Sequence, residues 1–414
     1  MEPLLVEFYP EVPLDKLSAA VKLIAKNAPQ YDAPFFMEPD KYINMGEIKE
    51  ICDPFIAKGI QNVIVLGTGG SIQTLLALQN LALRRIVPIP SSRPSELKQA
   101  LETTSPADSV VVPISRGGET LDINSTVSLF KEYPMLALSS RGAMFDLVSS
   151  LGATIMDVPD LSGRFAGSCT NVGIVPAYLA GIDVDELLGG LKAGYENFGP
   201  ETAVNENPAK ALAAYLFSLY KGGFRNVFSM VYSRWLEGAV GLFVQEISES
   251  SGKNGKGILG TSQQAPICQH SVLELLLGGA HGHSIPLIWE TRSDPDDLPL
   301  QSNLAGLEGK TALDVIRYQN DATFEALLSR GLPAGKISLG DPSTESIGQL
   351  VAFIQSMVYY LCLLLDVNWT DNPMVLIGKQ ICNEAMAQNL ADDQRKANRE
   401  KVAEEKFSAS TFFR

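Results

Sequence analysis

The sequence predicts an α/β protein built on two doubly wound parallel sheets with flanking helices. Three observations lead there. Short apolar runs rich in Val, Ile and Leu alternate with longer segments of helical spacing, the pattern of parallel strands covered on both faces. The strongest runs end in glycine-rich turns, "VIVLGTGGS" at 63–71 and "VVVPISRGGET" at 110–120. The plan then recurs: "FRNVFSMVYS" at 224–233 repeats the polar pair and apolar strand of "IQNVIVLGTGGS" at 60–71, and a long helix follows each.

Each element follows in order. Residues 1–45 are helical in part, over 16–26, and carry no clear chemistry, so they form an N-terminal segment. A first α/β domain spans 46–200. Its strand segments are 62–71, 109–120, 135–140 and 153–159, and its helices are expected over 72–83, 94–103, 120–131 and 143–151. A second domain spans 201–385. It opens with a helical stretch over 205–220, and its strands fall at 224–233, 283–290 and 333–340. The longest apolar run, "VAFIQSMVYYLCLLL" at 351–365, contains Gln355 and Ser356 and stops at Asp366. It is short for a bilayer span and reads as a buried helix. Residues 386–414 form a charged helical tail.

Composition narrows the function. A chain of 414 residues with 45% hydrophobic and 19% charged residues is folded and globular. Its net charge of -14 excludes a nucleic-acid or membrane partner that relies on a broad basic face. A phosphorylated small molecule needs only a few local donors. The five cysteines are scattered with no CxxC pair, and "MEPLLVEFYPEVP" lacks the basic start and apolar core of a signal peptide. A reducing, cytoplasmic setting is expected.

Several motifs carry chemistry. In "GTGGS", Gly69, Gly70 and Ser71 open a helix, where bare N–H groups favour an anion. Ile72 stands where a dinucleotide-binding turn has its third glycine. "SRGGET" offers Ser115, Arg116, two glycine amides and Thr120 in six residues, a phosphate cradle without the Lys of a P-loop. Two such turns at the carboxyl ends of neighbouring strands flank the crevice where open α/β sheets bind ligands. Arg164, in "GRFAGS", either holds an oxyanion or pairs with an acid. In "QEISESSGKNGKG", Glu246 and Glu249 lie three apart on one helix face. Glu249 is either a base or a solvated carboxylate at a helix break. All three histidines, His270, His281 and His283, fall within sixteen positions. They have no acid ligand at a recognised metal spacing, so no metal site is expected. His270 reads as a proton-handling group or a helix-capping residue. Lys379 opens a helix near the C-terminus.

Taken in order, these motifs resemble the glucose-6-phosphate isomerase family of the sugar isomerase (SIS) superfamily, over about residues 48–386. "VIVLGTGGS" is similar to the family's strand and GIGGS turn, and "GRF" with "VGIVPAYLAGID" to its GRFS and VGLLPAALAGID block. "ESSGKNGKG" is similar to its ESxGKxGKG run, "QHSVLEL" to its DQHSQLQL block, and "GKQI" to its GKxL ending. The resemblance implies two SIS-type, flavodoxin-like domains and a fully organic mechanism with no metal or other cofactor. It implies that Ser71, Ser115, Arg116 and Thr120 hold the sugar phosphate, beside Gly69 and Gly70. Glu249 would move a proton between C1 and C2 through a cis-enediol(ate), with Arg164 stabilising its charge. His270 and Lys379 would assist ring opening, and His270 would be shared across the interface of a homodimer.

The departures concern the substrate. The family's phosphate loop reads SKTxTTxET, whereas here Gly117 and Glu119 replace hydroxyl positions. Cys268 replaces an Asp before Gln-His. Asn372, Met374 and Leu376 replace Gln, Gly and Glu before the GK pair. An isomerase of another sugar phosphate, such as mannose 6-phosphate, and a non-catalytic sugar-phosphate-binding regulator are the alternatives.

Overall fold

Strands β1 (Leu5–Tyr9), β2 (Asn62–Leu66), β3 (Arg85–Ile89), β4 (Ser109–Pro113), β5 (Leu136–Leu138), β6 (Thr154–Met156), β7 (Asn226–Val231), β8 (Leu259–Gln264), β9 (Ser284–Thr291) and β10 (Ala334–Leu339) build two sheets. The structure, a computed structural model, describes residues 4–31, 33–36, 38–159, 167–279 and 283–407. In the first sheet β2 lies between β3 and β4, all parallel. The parallel bridges Val111–Met135 and Ile114–Leu138 carry the order on to β5, and β6 follows. Every residue of β2 and β4 is buried, which is why their sequences show no polar alternation. By rank in the chain the order is second, first, third, fourth, fifth, the doubly wound arrangement whose crevice opens between β2 and β4.

The second sheet has the order β1-β10-β9-β7-β8. Strands β7 to β10 are parallel and repeat the second-first-third-fourth order of the first sheet. The recurrence seen in the sequence is therefore topological. β1 adds antiparallel to β10, Leu5 opposite Ser338, and ties the N-terminal segment to the second sheet.

Two expectations change. Strands β1, β3 and β8 carry no strong strand pattern. β1 and β8 are sheet edges with many exposed positions, and β3 is a partly buried edge interrupted by Pro88. The helix expected over 120–131 breaks into Leu121–Asn124 and a 3-10 turn, Val127–Phe130. Between them Thr126 Oγ1 donates to Asp122 O (2.9 Å) and Ile123 O (3.1 Å), drawing those carbonyls off the helical ladder.

Helix Thr344–Leu365 is buried along its length except at Glu345. It packs against helices Val184–Asn197, Pro208–Lys221 and Glu237–Ser251. Among the described residues it is the one helix long and apolar enough to cross a membrane, and its burial makes it a core helix. Residues Met1–Thr370 form one unit. Asp371–Arg414 form another, made of helices Val375–Ala387 and Asp392–Lys406.

Helices Gly70–Leu78 and Glu237–Ser251 run antiparallel in close contact. A Cβ on Gly238 would lie 2.0 Å from Leu76 O, so only glycine permits this approach. One step along, a Cβ on Gly241 would lie 3.4 Å from Gln73 Oε1, and one on Gly69 would lie 3.2 Å from Gln245 Nε2. At the opposite end Asn80 Nδ2 donates to Arg234 O (3.0 Å).

Candidate active site

The first crevice is bordered by the turns after β2 and β4. Gly69 has φ 60° and ψ -138°, and the helix starts at Gly70, so a positive dipole end lies at the turn after β2. Ser71 follows, half-buried, in the first turn. Opposite, Ser115 is only 3% exposed, and its Oγ lies 3.0 Å from Thr120 Oγ1. The cradle is held rigidly. Ser115 N–H donates to Leu138 O (3.1 Å), and Asn124 Nδ2 donates to Gly118 O (2.9 Å). Gly118 has φ +72°, and a Cβ there would lie 2.0 Å from Arg141 O. Glu119, an acid in an expected phosphate loop, accepts from Ala143 N–H (3.2 Å) at the start of helix Gly142–Ser150. Its charge thus serves a helix N-terminus. Arg116 is half-buried beside the hydroxyl pair.

Glu249 approaches the Gly69 turn from the Glu237 helix, through Gln245. Its Oε2 accepts from Gln245 Nε2 (3.3 Å), and that Gln245 nitrogen is the atom nearest the Gly69 turn. The structure therefore brings the glycine turn, Gln245 and Glu249 together. Among the described residues Gln245 Oε1 is buried and has no hydrogen-bond partner, an acceptor beside the carboxylate. The sequence reading missed Gln245, although its place one turn before Glu249 is a signal. It also missed Lys253, 9% exposed, whose Nζ donates to Glu249 O (3.1 Å) and Ser250 O (2.6 Å) and closes the helix C-terminus.

Spacing placed Glu246 and Glu249 on one face, but their surroundings differ. Glu246 is 2% exposed, and its Oε1 accepts from Gln355 Nε2 (3.1 Å). Gln355 Oε1 in turn accepts from Ser168 Oγ (2.9 Å) and from Tyr195 OH. Burial pushes the neighbouring Cys169 thiol up to about 11 and the Tyr195 phenol well above its ordinary value, so both stay neutral. This network fixes the residues that follow the "GRF" segment. Arg164 itself lies outside the described residues. The chain re-emerges at Gly167 against the Ser71 helix, where a Cβ would lie 2.6 Å from Gly70 O.

The histidines separate. His270 ends a 3-10 turn beyond the carboxyl end of β8, while His283 precedes the amino end of β9. β8 and β9 both pair in parallel with β7, and Asn226 is opposite Leu259 and Ser284. Six strand residues at about 3.3 Å each put roughly 20 Å between the two histidines. His283 packs on Phe224 (5.7 Å), and His281 lies outside the described residues. Gln269 is anchored to Gln319 O (3.3 Å), whereas the exposed His270 side chain has no hydrogen bond or ion pair among the described residues. It is not joined to Glu249 within this chain. Lys379 lies on helix Val375–Ala387 of the C-terminal unit.

The equivalent crevice of the second sheet, between β7 and β9, is unsuited to phosphate. Glu290, Asp294, Asp296 and Asp297 line it with a single guanidinium, Arg317. Glu290 is already engaged by Ser338 Oγ (2.6 Å) and Lys336 Nζ (3.2 Å).

No family model matches the chain. The glucose-6-phosphate isomerase of Rubrobacter xylanophilus is 27% identical over 390 residues, covering 84% of this chain and 88% of that protein. That of Carboxydothermus hydrogenoformans is 24% identical and covers 92% of this chain and 90% of its own. Among solved structures, a glucose-6-phosphate isomerase from Chlamydia trachomatis superposes with a TM-score of 0.78 at 16% identity, over 97% of this chain and 92% of that one. Hypothetical protein TT0462 of Thermus thermophilus gives 0.80 at 21%, over 92% and 100%. The chain thus has the two-sheet α/β fold of the sugar-phosphate isomerases. In sequence it is similar to the glucose-6-phosphate isomerases over most of its length.

Proposed function

We propose that this chain is an aldose–ketose isomerase that interconverts glucose 6-phosphate and fructose 6-phosphate. The observation that carries the reading is the Gly69–Gln245–Glu249 constellation beside the Ser115–Thr120 hydroxyl pair. It sets a positioned carboxylate next to an anion cradle. The first domain (46–200) supplies the cradle: Ser71, Ser115, Arg116 and Thr120 hold the phosphate, with the amides of the Gly69–Gly70 turn. The second (201–385) supplies the base. Glu249 takes the proton from C2 of the open-chain aldose and returns it to C1, through a cis-enediol(ate). The developing oxyanion needs a fixed cation, the role read for Arg164. His270 and Lys379 handle the protons of ring opening. The proton shift leaves the sugar's oxidation level unchanged overall, so no redox cofactor takes part.

His270 acts from the partner subunit of a homodimer in this reading. Its exposure, flanked by Ile267 and Leu275 at 70% and 54% exposed, supports a contact there. The setting is the cytoplasm. A coupled assay of purified protein in both directions tests the proposal, and absent interconversion refutes it. The altered "SRGGET" loop favours a second reading, in which mannose 6-phosphate is also isomerised. A mannose 6-phosphate rate comparable to that on glucose 6-phosphate would support it.

A further inference from the structure

Arg84 and Arg85, at the start of β3, and Arg234, just before the Glu237 helix, line one cavity of about 280 Å³ with Gln79, Asn80 and Glu237. Among the described residues none of the three guanidiniums forms an ion pair. Two are aimed by neutral groups. Arg84 Nη1 donates to Leu179 O (3.1 Å), and Arg85 Nη2 donates to Thr103 O (3.1 Å) and Thr103 Oγ1 (2.9 Å). Arg234 is exposed, and its carbonyl is held by Asn80 Nδ2. The one acid in the lining, Glu237, accepts from Gln264 Nε2 (3.0 Å).

Three cations, two of them held in place, against one carboxylate leave a local surplus in a chain whose net charge is -14. The N-terminus of the fifteen-residue Glu237 helix adds its positive dipole end. Guanidinium forks match phosphate oxygens in geometry as well as charge. The cavity lies just below the roughly 300 Å³ at which drug-sized pockets begin, so it suits a small anion. It also stands apart from the crevice. Gly69 and Glu249 occupy one end of the antiparallel helix pair, and Asn80 and Arg234 the other. Fifteen residues separate Arg234 from Glu249, about 22 Å at a helical rise.

We infer that this cleft is a second anion site, which binds a phosphate dianion as inorganic phosphate or as the phosphate end of a small metabolite. The inference does not rest on the isomerase reading, and a chain inactive on sugar phosphates would still bind there. The test is calorimetric titration of the full chain with inorganic phosphate and, separately, with glycerol 2-phosphate, at low ionic strength. A Ser115→Ala/Thr120→Ala background weakens the first crevice, and the part of the remaining binding that the arginine substitutions remove reports the cleft. One phosphate per chain is expected there, with affinity reduced at least about tenfold by adding Arg84→Gln and Arg234→Gln. Arg234→Gln alone, at an exposed position that leaves the Leu179 contact intact, is expected to weaken binding without lowering the melting temperature. Tighter binding of the ester would assign a metabolite and tighter binding of inorganic phosphate the free ion, and both keep the site. No phosphate bound in the background, or binding unchanged by the arginine substitutions, overturns it.

Discussion

Gly238→Ala tests whether helix packing sets the catalytic geometry. The new Cβ would sit 2.0 Å from Leu76 O, whereas carbon–oxygen contacts settle near about 3.3–3.6 Å. The two helices must therefore part by more than about 1 Å at this point. Overpacking of this kind costs about 1–3 kcal/mol. Alanine's better helix propensity returns up to about 1 kcal/mol, so a net loss of about 1–2 kcal/mol is expected in urea unfolding. Gln245 lies two turns further along the same helix, and the Gly69 turn lies on its partner. Misplacing reacting groups by about 1 Å costs up to about 100-fold, so kcat should fall between about tenfold and 100-fold. Gly241→Ala is the control, because its Cβ would meet only the tip of Gln73 at 3.4 Å. It should leave turnover unchanged and stability equal or higher. Gly238→Ala protein with wild-type turnover and stability would refute the reasoning.

Three further outcomes are expected. Lys253→Met removes two bonds to the last carbonyls of the Glu249 helix and should cost about 2–3 kcal/mol in urea unfolding, since charged donors to buried carbonyls are worth that much; a loss below 0.5 kcal/mol, on the order of an exposed substitution, would contradict it. Burial raises the Cys52 and Cys169 thiols to about 12 and about 11 from an ordinary value of 9.0. The folded state therefore holds these protons more tightly than the unfolded state. Their contribution is full below pH 9 and is lost as pH rises toward the folded values, so the urea midpoint should fall from pH 9 upward; a flat midpoint to pH 10.5 would contradict it. Mixing inactive Glu249→Gln and His270→Ala subunits should restore one native site per mixed dimer if His270 crosses the interface, and should restore nothing if it acts within its own chain.

Legibility followed burial. β2 and β4 were readable because both faces are covered and, after Asn62 and Ser109, their residues are apolar. Edge strands β1 and β8 were not, because one side of each faces solvent, and Pro88 interrupts β3. The glycine turns were readable because Gly69 and Gly118 answer local backbone demands. Gln245 was not, since its importance comes from the Gly69 turn of a helix far away in sequence. Glu246 and Glu249 look equivalent by spacing, and only Gln355 on the core helix separates them. The histidines show the opposite case. They are close in sequence, but His270 and His283 lie at opposite ends of parallel strands.

The decisive measurement is steady-state turnover and substrate binding by Glu249→Gln. The substitution keeps the shape of the side chain and a carbonyl acceptor for Gln245 while removing the carboxylate proposed as the base. Proton transfer by a positioned base contributes about 10²–10⁴-fold. The structure predicts a loss of kcat of that order, with fructose 6-phosphate still bound at close to wild-type affinity. Turnover within about twofold of wild type would contradict it.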